Sequence, residues 1–238
     1  MRWLAVLTWL ITLPAFAVDC REVTYSGNDY SVCEIDLTKD DLRLFLKDNQ
    51  GDIIGHFDRL EEILEESSLS FAMNAGMYHE DRAPVGHFVE DGREVMRVIP
   101  QAGPGNFGML PNGVFCIRDG RADVIETLRF VQEQPDCIYA TQSGPMLVID
   151  GKRHNRFLPD SIYRNIRNGV GTSADGTRAI FAISDNSVTF YEFANLYLEF
   201  FEVPNALYFD GRISRLHAPQ LERSDLGVQM GPIIGVVD

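Results

Sequence analysis

Short apolar runs alternate with polar, glycine-containing turns along most of this chain, a pattern that predicts many short β-strands. Segment 103–113 is dense in glycine and proline, which predicts an ordered loop without regular secondary structure. Turns are expected at Gly27-Asn28-Asp29 and at Asp175-Gly176. The predicted strands are 22–25, 31–36, 71–73, 114–117, 146–149, 169–172, 179–183, 206–209 and 232–237.

Two segments are typical of helices. Asp58-Arg59-Leu60-Glu61 matches a capping box and predicts a helix that continues to about Glu66. A second capping box, Thr189-Phe190-Tyr191-Glu192, precedes apolar residues that repeat with helical spacing as far as Phe201. Many strands and few helices predict the α+β class, as a single domain with a mixed, largely antiparallel β-sheet core and a few packed helices.

The N-terminus has the three parts of a secretory signal peptide. Arg2 supplies a positive charge, 3–13 is an apolar run, and Ala15-Phe16-Ala17 is a small-x-small cleavage site. We therefore expect residues 1–17 to be removed and residues 18–238 to form the mature domain, exported to the periplasm or secreted. No later segment predicts a membrane span.

Charge and cysteine content narrow the function further. The formal net charge of the 238 residues is −14 at pH 7, which disfavours nucleic acid and anionic membranes as partners. Four cysteines in an exported protein predict two disulfides with three possible pairings, among which proximity favours Cys20–Cys33 and Cys116–Cys137. The alternative, a thiolate metal site, lacks its usual close Cys-x-x-Cys spacing.

Polar side chains follow or border many of the predicted strands, while the standard nucleophile, phosphate-loop and zinc motifs are missing. Turn chemistry accounts for asparagine or aspartate beside glycine. It does not account for Gln142, or for Arg167 between Ile166 and Asn168. The polar residues at strand ends are Asn74, Asn112, Gln142, Asn168, Asp185 and Asp210.

Positive charge is concentrated between Lys152 and Arg167, where five basic residues accompany one acid, Asp160. Lys152 and Arg153 are interpreted as a solvated face. Arg167 differs because Asn-Gly-Val-Gly follows it, so that backbone can approach a ligand closely. A guanidinium there suits a phosphate or carboxylate through two parallel hydrogen bonds.

Five segments in fixed order resemble the phosphodiester glycosidase family, in particular its compact bacterial exported members. The resemblance covers roughly Phe71 to the C-terminus. One departure is Arg212, which follows Asp-Gly where relatives often have a small residue, so substrate identity is not carried over. The segments are 74–78 (Asn-Ala-Gly-Met-Tyr), 111–115 (Pro-Asn-Gly-Val-Phe), 142–146 (Gln-Ser-Gly-Pro-Met), 167–171 (Arg-Asn-Gly-Val-Gly) and 206–211 (Ala-Leu-Tyr-Phe-Asp-Gly).

The resemblance implies an exported hydrolase that cleaves a sugar-1-phosphodiester in an envelope glycan or related metabolite. We expect Arg167 to hold the phosphate, Asp210 to be the carboxylate near the anomeric carbon, and Asp185 to be second in line. Whether the carboxylate acts as nucleophile or as base is left open, because the sequence does not give the separation of the two groups. The residues expected to bind substrate are Asn74, Asn112, Gln142, Ser143, Gly144 and Asn168.

The rival hypothesis is an exported, non-catalytic module that binds an anionic glycan or sugar phosphate. It uses the same arginine and amides but requires no carboxylate. No cofactor is predicted; a divalent cation such as calcium stays open, although no loop has the usual spacing of oxygen ligands. The expected partner is a small molecule or glycan bearing phosphate, and the sequence does not predict the oligomeric state.

Overall fold

A computed structural model describes residues 18–65, 67–211 and 213–238. The predicted signal peptide, residues 1–17, lies outside the described residues, as do Glu66 at the expected end of the first helix and Arg212. None of the helices in the described ranges is long and apolar enough to cross a membrane.

Strands dominate the described part of the chain, and three short helices accompany them. The strands are β1 (Asp19–Tyr25), β2 (Asn28–Asp36), β3 (Asp41–Phe45), β4 (Leu69–Asn74), β5 (Phe88–Glu90), β6 (Arg93–Met96), β7 (Gly113–Arg118), β8 (Arg121–Glu126), β9 (Tyr139–Ser143), β10 (Met146–Ile149), β11 (Lys152–Arg153), β12 (Asn168–Thr172), β13 (Arg178–Ser184), β14 (Asn205–Tyr208), β15 (Leu216–Ala218), β16 (Arg223–Ser224) and β17 (Ile233–Val237). The helices are α1 (Phe57–Leu64), α2 (Thr127–Glu133) and α3 (Phe190–Asn195), the last continuing as a π-helix (Leu196–Phe200), and a 3₁₀ turn follows β15 (Pro219–Leu221).

The strands form three sheets. The large sheet has the order β1-β2-β13-β12-β14-β10-β11, the second sheet β16-β15-β4-β17-β3, and the third sheet β6-β5-β9-β7-β8. Every strand pair within them is antiparallel. The predicted α+β class with a largely antiparallel core is confirmed.

The main core lies where the three sheets face one another. Phe181 of the large sheet contacts Phe71 of the second sheet, with ring centroids 4.9 Å apart, and Phe115 of the third sheet at 5.8 Å. On the opposite face of the large sheet, Phe193 and Tyr197 of the α3 segment pack in a second buried cluster. Both faces of the large sheet are therefore covered, which explains its long apolar runs.

The predicted capping boxes had different outcomes. At α3 the box is confirmed, because Thr189 Oγ1 accepts from the Glu192 amide at 3.1 Å while the Glu192 carboxylate accepts from the Thr189 amide at 2.8 Å. At α1 it is wrong, since the helix begins at Phe57 and Asp58 already lies in its first turn. The apolar packing of Phe57 decides where α1 starts, and no side chain caps it.

Both favoured disulfides are confirmed. Cys20 and Cys33 face each other directly across the β1–β2 hairpin. Cys116 in β7 is bonded to Cys137, which precedes β9 on the far side of α2.

Candidate functional site

The family-like segments converge on one end of the fold, although they belong to three different sheets. Because neighbouring strands run antiparallel, the end of β9 lies beside the start of β7, and the end of β14 beside the start of β12. The end of β4 reaches the same place through direct side-chain contact. We call the polar residues at this end the polar cluster, which comprises Asn74, Asn112, Ser143, Asn168 and Asp210.

Asn74 holds the centre of the polar cluster together. Its Oδ1 accepts from Asn168 Nδ2 at 2.6 Å and from the Arg215 backbone amide at 2.9 Å. Its Nδ2 donates to the backbone carbonyl of Asp210 at 3.2 Å. Asn74 and Asn168 are fully buried, so these bonds fix the position of the Asp210 backbone against the large sheet.

The loop 103–113 closes over the other side of the polar cluster. Asn112 Nδ2 donates to the Phe107 carbonyl at 2.9 Å within the loop, and the Pro111 carbonyl accepts from the Met146 amide at 2.9 Å, which fixes the loop beside Gly144. Gly144 is required by this close approach, since a Cβ at that position would lie 2.7 Å from the Asn112 Cβ and 3.0 Å from the Phe107 carbonyl oxygen.

Three buried side-chain oxygens of the polar cluster have no hydrogen-bond partner among the described residues. They are Asn112 Oδ1, Ser143 Oγ and Asn168 Oδ1. Buried polar atoms are nearly always paired in native proteins, and leaving one unpaired costs about 1–3 kcal/mol. A ligand with hydroxyl groups, or bound water, would offset this cost, and three such atoms in one cluster are typical of a binding site.

Gln142 is placed behind the polar cluster and is fully engaged by the protein. Its Oε1 accepts from the amides of His87 at 3.0 Å and Ile99 at 2.9 Å. Its Nε2 donates to the Ile99 carbonyl at 2.8 Å and to Thr127 Oγ1 at 3.2 Å. The side chain has no donor left for a phosphate in this arrangement, and it fixes the two ends of segment 87–99.

Arg167, which directly precedes Asn168 in the chain, lines a cleft of about 740 Å³. The residue is only 2% exposed, and its Nε and Nη2 donate to the backbone carbonyls of Val188 at 2.9 Å and Tyr163 at 3.2 Å. Its Cζ lies 3.6 Å from the centre of the Phe190 ring, a cation–π contact.

Burial lowers the pKa of the Arg167 guanidinium from its ordinary value, although the group stays charged at neutral pH. The negative charge of Glu192 acts in the opposite direction and raises the Arg167 pKa, but that carboxylate is ion-paired with Arg164 at 3.0 Å. Within the described ranges Arg167 has no ion-pair partner of its own. A buried cation without a carboxylate is unusual, because burying a charge costs several kcal/mol unless it is compensated.

Tyr208 connects Arg167 to the turn that carries Asp210. Its hydroxyl interacts with the Arg167 guanidinium, and a Cβ at Gly211 would lie 1.4 Å from that hydroxyl oxygen. Burial, together with the negative charge of Asp210, raises the pKa of Tyr208 to about 12, although the Arg167 cation acts in the opposite direction. The phenol is thus protonated at neutral pH; its oxygen accepts from the Arg167 guanidinium, and its proton can be donated to another acceptor.

Asp185 lies apart from these contacts. Its carboxylate accepts from Arg223 Nη1 at 2.6 Å and from Ser31 Oγ at 3.1 Å, so it joins β16 of the second sheet to β2 of the large sheet. The structure therefore pairs Asp185 with Arg223 of the second sheet, at a distance from the backbone contact between Asp210 and Asn74.

Sequence reasoning missed the tyrosines of this site. Tyr208 and Tyr78 both occur in the family-like segments, but an aromatic residue beside a strand is read as core from sequence alone. Tyr78 is half-buried, which raises its pKa, and Asp210 acts on it in the same direction. Arg215 was missed as well, and its backbone amide is one of the groups held by Asn74.

In the described part of the chain, no three His, Cys, Asp or Glu side chains come together as a metal site would require.

Two sequence relationships bear on this site. The profile of the phosphodiester glycosidase family matches residues 67–216. YigE of Escherichia coli (strain K12), a protein described as uncharacterised, is 30% identical over 211 residues, which span 87% of this chain and 82% of YigE.

Solved structures share the fold at low sequence identity. The catalytic domain of zebrafish N-acetylglucosamine-1-phosphodiester alpha-N-acetylglucosaminidase, auto-inhibited by its pro-peptide, superimposes with a TM-score of 0.61 at 12% identity, covering 92% of this chain and 81% of that one. A hypothetical protein from Synechocystis gives a TM-score of 0.60 at 14% identity and covers 92% of this chain and 61% of that one. A protein of Burkholderia pseudomallei K96243 described as exported gives 0.55 at 13% identity, with coverages of 88% and 74%.

Proposed function

This chain belongs to the phosphodiester glycosidase family, a family of hydrolases, and from that premise we propose that it cleaves the bond between the anomeric carbon of a sugar and a phosphodiester oxygen. The observation that carries the proposal is the buried guanidinium of Arg167, which has no ion-pair partner among the described residues and faces a cleft beside the Asp210 turn. Its natural counterion is the single negative charge of a phosphodiester.

Charge complementarity supports a phosphate at this position. A guanidinium offers five N–H donors in a planar fork, and Arg167 spends Nε and Nη2 on backbone carbonyls. A further donor is taken by the Tyr208 hydroxyl, and in this proposal the rest point towards the cleft. A bound phosphate would restore part of the solvation that burial removes from the cation, and charge-assisted bonds of this kind are the strong ones in proteins.

The leaving group makes strong acid catalysis unnecessary. When the bond from C1 to oxygen breaks, its electron pair stays on that oxygen, and the product is a phosphate monoester whose second pKa is about 6. Arg167 and the protonated Tyr208 stabilise the charge that develops there. Water supplies the new oxygen on C1, and one of its protons leaves to the carboxylate of Asp210 or to the departing phosphate.

Asp210 is proposed to face the anomeric carbon, where positive charge develops. Asn74 donates to the Asp210 backbone carbonyl, and Asn168 in turn donates to Asn74, so the backbone of Asp210 is held in place. A carboxylate in this role requires such preorganisation. In this proposal Asp185 and Gln142 support the site from behind, through the Arg223 ion pair and the contacts to segment 87–99.

The unpaired oxygens of Asn112, Ser143 and Asn168 are proposed to accept hydrogen bonds from the sugar hydroxyls. Gly144 has no side chain and therefore lets the loop 103–113 pack beside them. Each of these atoms is buried. A sugar therefore reaches them only when the loop 103–113 moves away from the end of β9. Within this loop, residues 106–107 contact this end through the Asn112–Phe107 bond and the packing at Gly144, whereas Pro111 and Asn112 are held by backbone bonds to Met146 and Thr127.

The location is proposed to be outside the cytoplasm. Two disulfides support this, because such bonds persist in oxidising compartments. Residues 1–17 are then the signal peptide that is removed, and 18–238 the mature domain.

The deciding experiment is a product assay on a panel of sugar-1-phosphodiesters in ¹⁸O-water, with and without chelator. We expect free sugar and a phosphate monoester, with the label in the sugar because the C1–O bond is the one that breaks. Label in the phosphate would show P–O cleavage and refute the proposal. Tight binding by calorimetry without any product would favour the non-catalytic module.

Asp210→Asn should reduce kcat by at least about 10²-fold, the order expected for a group that acts on transition-state charge. Asp119→Asn is the matched control, since Asp119 also precedes a glycine but lies in the β7–β8 turn. Equal activity of the two variants would remove Asp210 from the mechanism.

A further inference from the structure

We propose that the cleft beside Arg167 binds the alcohol esterified to the phosphate, and that this alcohol carries an alkyl or prenyl chain. The inference rests on the proposed function for the orientation of the substrate, with the sugar at the polar cluster and the phosphate at Arg167. It adds the class of the leaving group, which neither the fold nor the family relationship specifies.

Exposed apolar side chains are concentrated at the rim of this cleft. Leu158 is 59% exposed, Ile162 83% and Tyr163 77%, and all three line the cleft within six consecutive residues. Single exposed apolar residues are common on soluble proteins, but a contiguous group around a concave site is typical of a binding surface. An alkyl chain in the cleft would remove their apolar area from water.

The wall of the cleft is aromatic and leads to the cation. Phe157 stacks on Phe190 with ring centroids 4.9 Å apart and an angle of 6° between the rings, and His154 stacks on the other side of Phe157 at 4.7 Å. The Arg167 guanidinium lies on the same Phe190 ring. A flat apolar surface that ends at a buried cation complements a molecule with a chain and an anionic head.

The charges at the cleft agree with this occupant. Arg156 and Arg167 line it together with one carboxylate, Asp160, in a chain whose formal net charge is −14. The local excess of one positive charge therefore matches a phosphodiester monoanion. A sugar alcohol as leaving group would be matched by polar side chains at the rim, whereas the most exposed rim residues are Leu158, Ile162 and Tyr163.

The test compares two substrates that differ only in the alcohol. On the sugar that the product assay identifies, the octyl phosphodiester should have a kcat/KM at least about 10-fold above the methyl phosphodiester, below the micellar concentration. Tenfold corresponds to about 1.4 kcal/mol, which two buried methylene groups would supply.

The preference should disappear in the double variant Leu158→Ser/Ile162→Ser. Its matched control is Leu128→Ser/Leu226→Ser, because those leucines are 58% and 87% exposed and line no part of the cleft. Tyr163→Ser is a second cleft variant and should reduce the preference on its own. The control should keep the full preference for the octyl ester.

Calorimetry with octyl phosphate and methyl phosphate makes the outcome independent of turnover. Hydrolysis of both esters with equal kcat/KM would overturn this inference and leave the proposed function intact. If neither ester is hydrolysed, the proposed function fails, and the inference about the cleft is then judged by binding alone. Tighter binding of octyl phosphate, by about 10-fold, in wild type and control but not in the cleft variants supports the apolar cleft. Equal binding of the two phosphates overturns it.

Discussion

Replacing Arg167 by methionine removes the buried guanidinium while keeping an unbranched side chain that can still pack on Phe190. The variant separates two roles of this residue. One is structural, through the bonds to the Val188 and Tyr163 carbonyls. The other is the proposed contact with phosphate.

The structural loss is expected to be small. Hydrogen bonds to a charged group contribute about 1.5–3 kcal/mol each, and the variant loses two of them. It is also relieved of the cost of burying a charge without a carboxylate, which is several kcal/mol. These effects have opposite signs, so we expect the free energy of unfolding to change by no more than about 2 kcal/mol in either direction.

The functional loss is expected to be large. Nothing else in the cleft replaces a buried cation at this position, and removing one donor to a developing oxyanion reduces kcat by about 10²–10³-fold. We therefore expect kcat/KM to fall by about that factor in Arg167→Met. Stabilisation of the folded protein by inorganic phosphate, measured as a shift in Tm, should be lost at the same time.

Arg164→Met provides the comparison. Arg164 also donates to a backbone carbonyl, that of Ser187, and it pairs with Glu192, but it does not line the cleft. This variant should keep both kcat/KM and the phosphate-dependent Tm shift within about threefold, since surface ion pairs contribute about 0–1 kcal/mol. Retention of either property in Arg167→Met would refute the assignment of the phosphate to Arg167.

Two further outcomes follow from the site and its surroundings. Gly211→Ala should reduce kcat/KM by at least about 10²-fold with an unchanged far-UV spectrum, because its Cβ would lie 1.4 Å from the Tyr208 hydroxyl oxygen and displace it; ordinary activity would show that this hydroxyl is not needed. Burial lowers the pKa of His154 from its ordinary value of 6.5, so the unfolded chain binds more protons than the folded protein below that pH. The stability contributed by the neutral imidazole is therefore complete above pH 6.5. It is lost as the pH falls towards the pKa of the folded protein. The urea midpoint should therefore fall between about pH 7.5 and about pH 5.5, and less in His154→Gln than in wild type; identical pH dependence would contradict the assignment.

The predicted strands show where sequence patterns suffice. β12, β13 and β14 are recognisable because their residues are apolar or glycine and are bounded by turns. β9 is different, since Thr141, Gln142 and Ser143 make it look like a loop. These polar side chains are buried all the same, and Gln142 is satisfied by groups from segment 87–99 and α2, which are distant in sequence.

The two helix starts show the same limit. The Thr189 box is a local interaction between residues three apart, so the sequence is sufficient to predict it. The match at Asp58 has the same form but fails, because the burial of Phe57 against the second sheet starts α1 two residues earlier, with His56 in place of Asp58 as the N-cap. A local motif holds only where tertiary packing does not oppose it.

By itself the sequence predicted the α+β class and the family and favoured the two observed disulfides among three possible pairings, since each depends on local patterns, close spacing or an ordered set of short motifs. It also pointed to Asn74, Asn168, Arg167 and Asp210 as candidates. Only the tertiary structure decided that Asn74 binds Asn168, that the Gln142 side chain is fully hydrogen-bonded to other protein groups, and that Asp185 forms an ion pair with Arg223. The physical reason is that hydrogen bonds and ion pairs between strands of different sheets depend on distances across the fold, which no sequence spacing encodes.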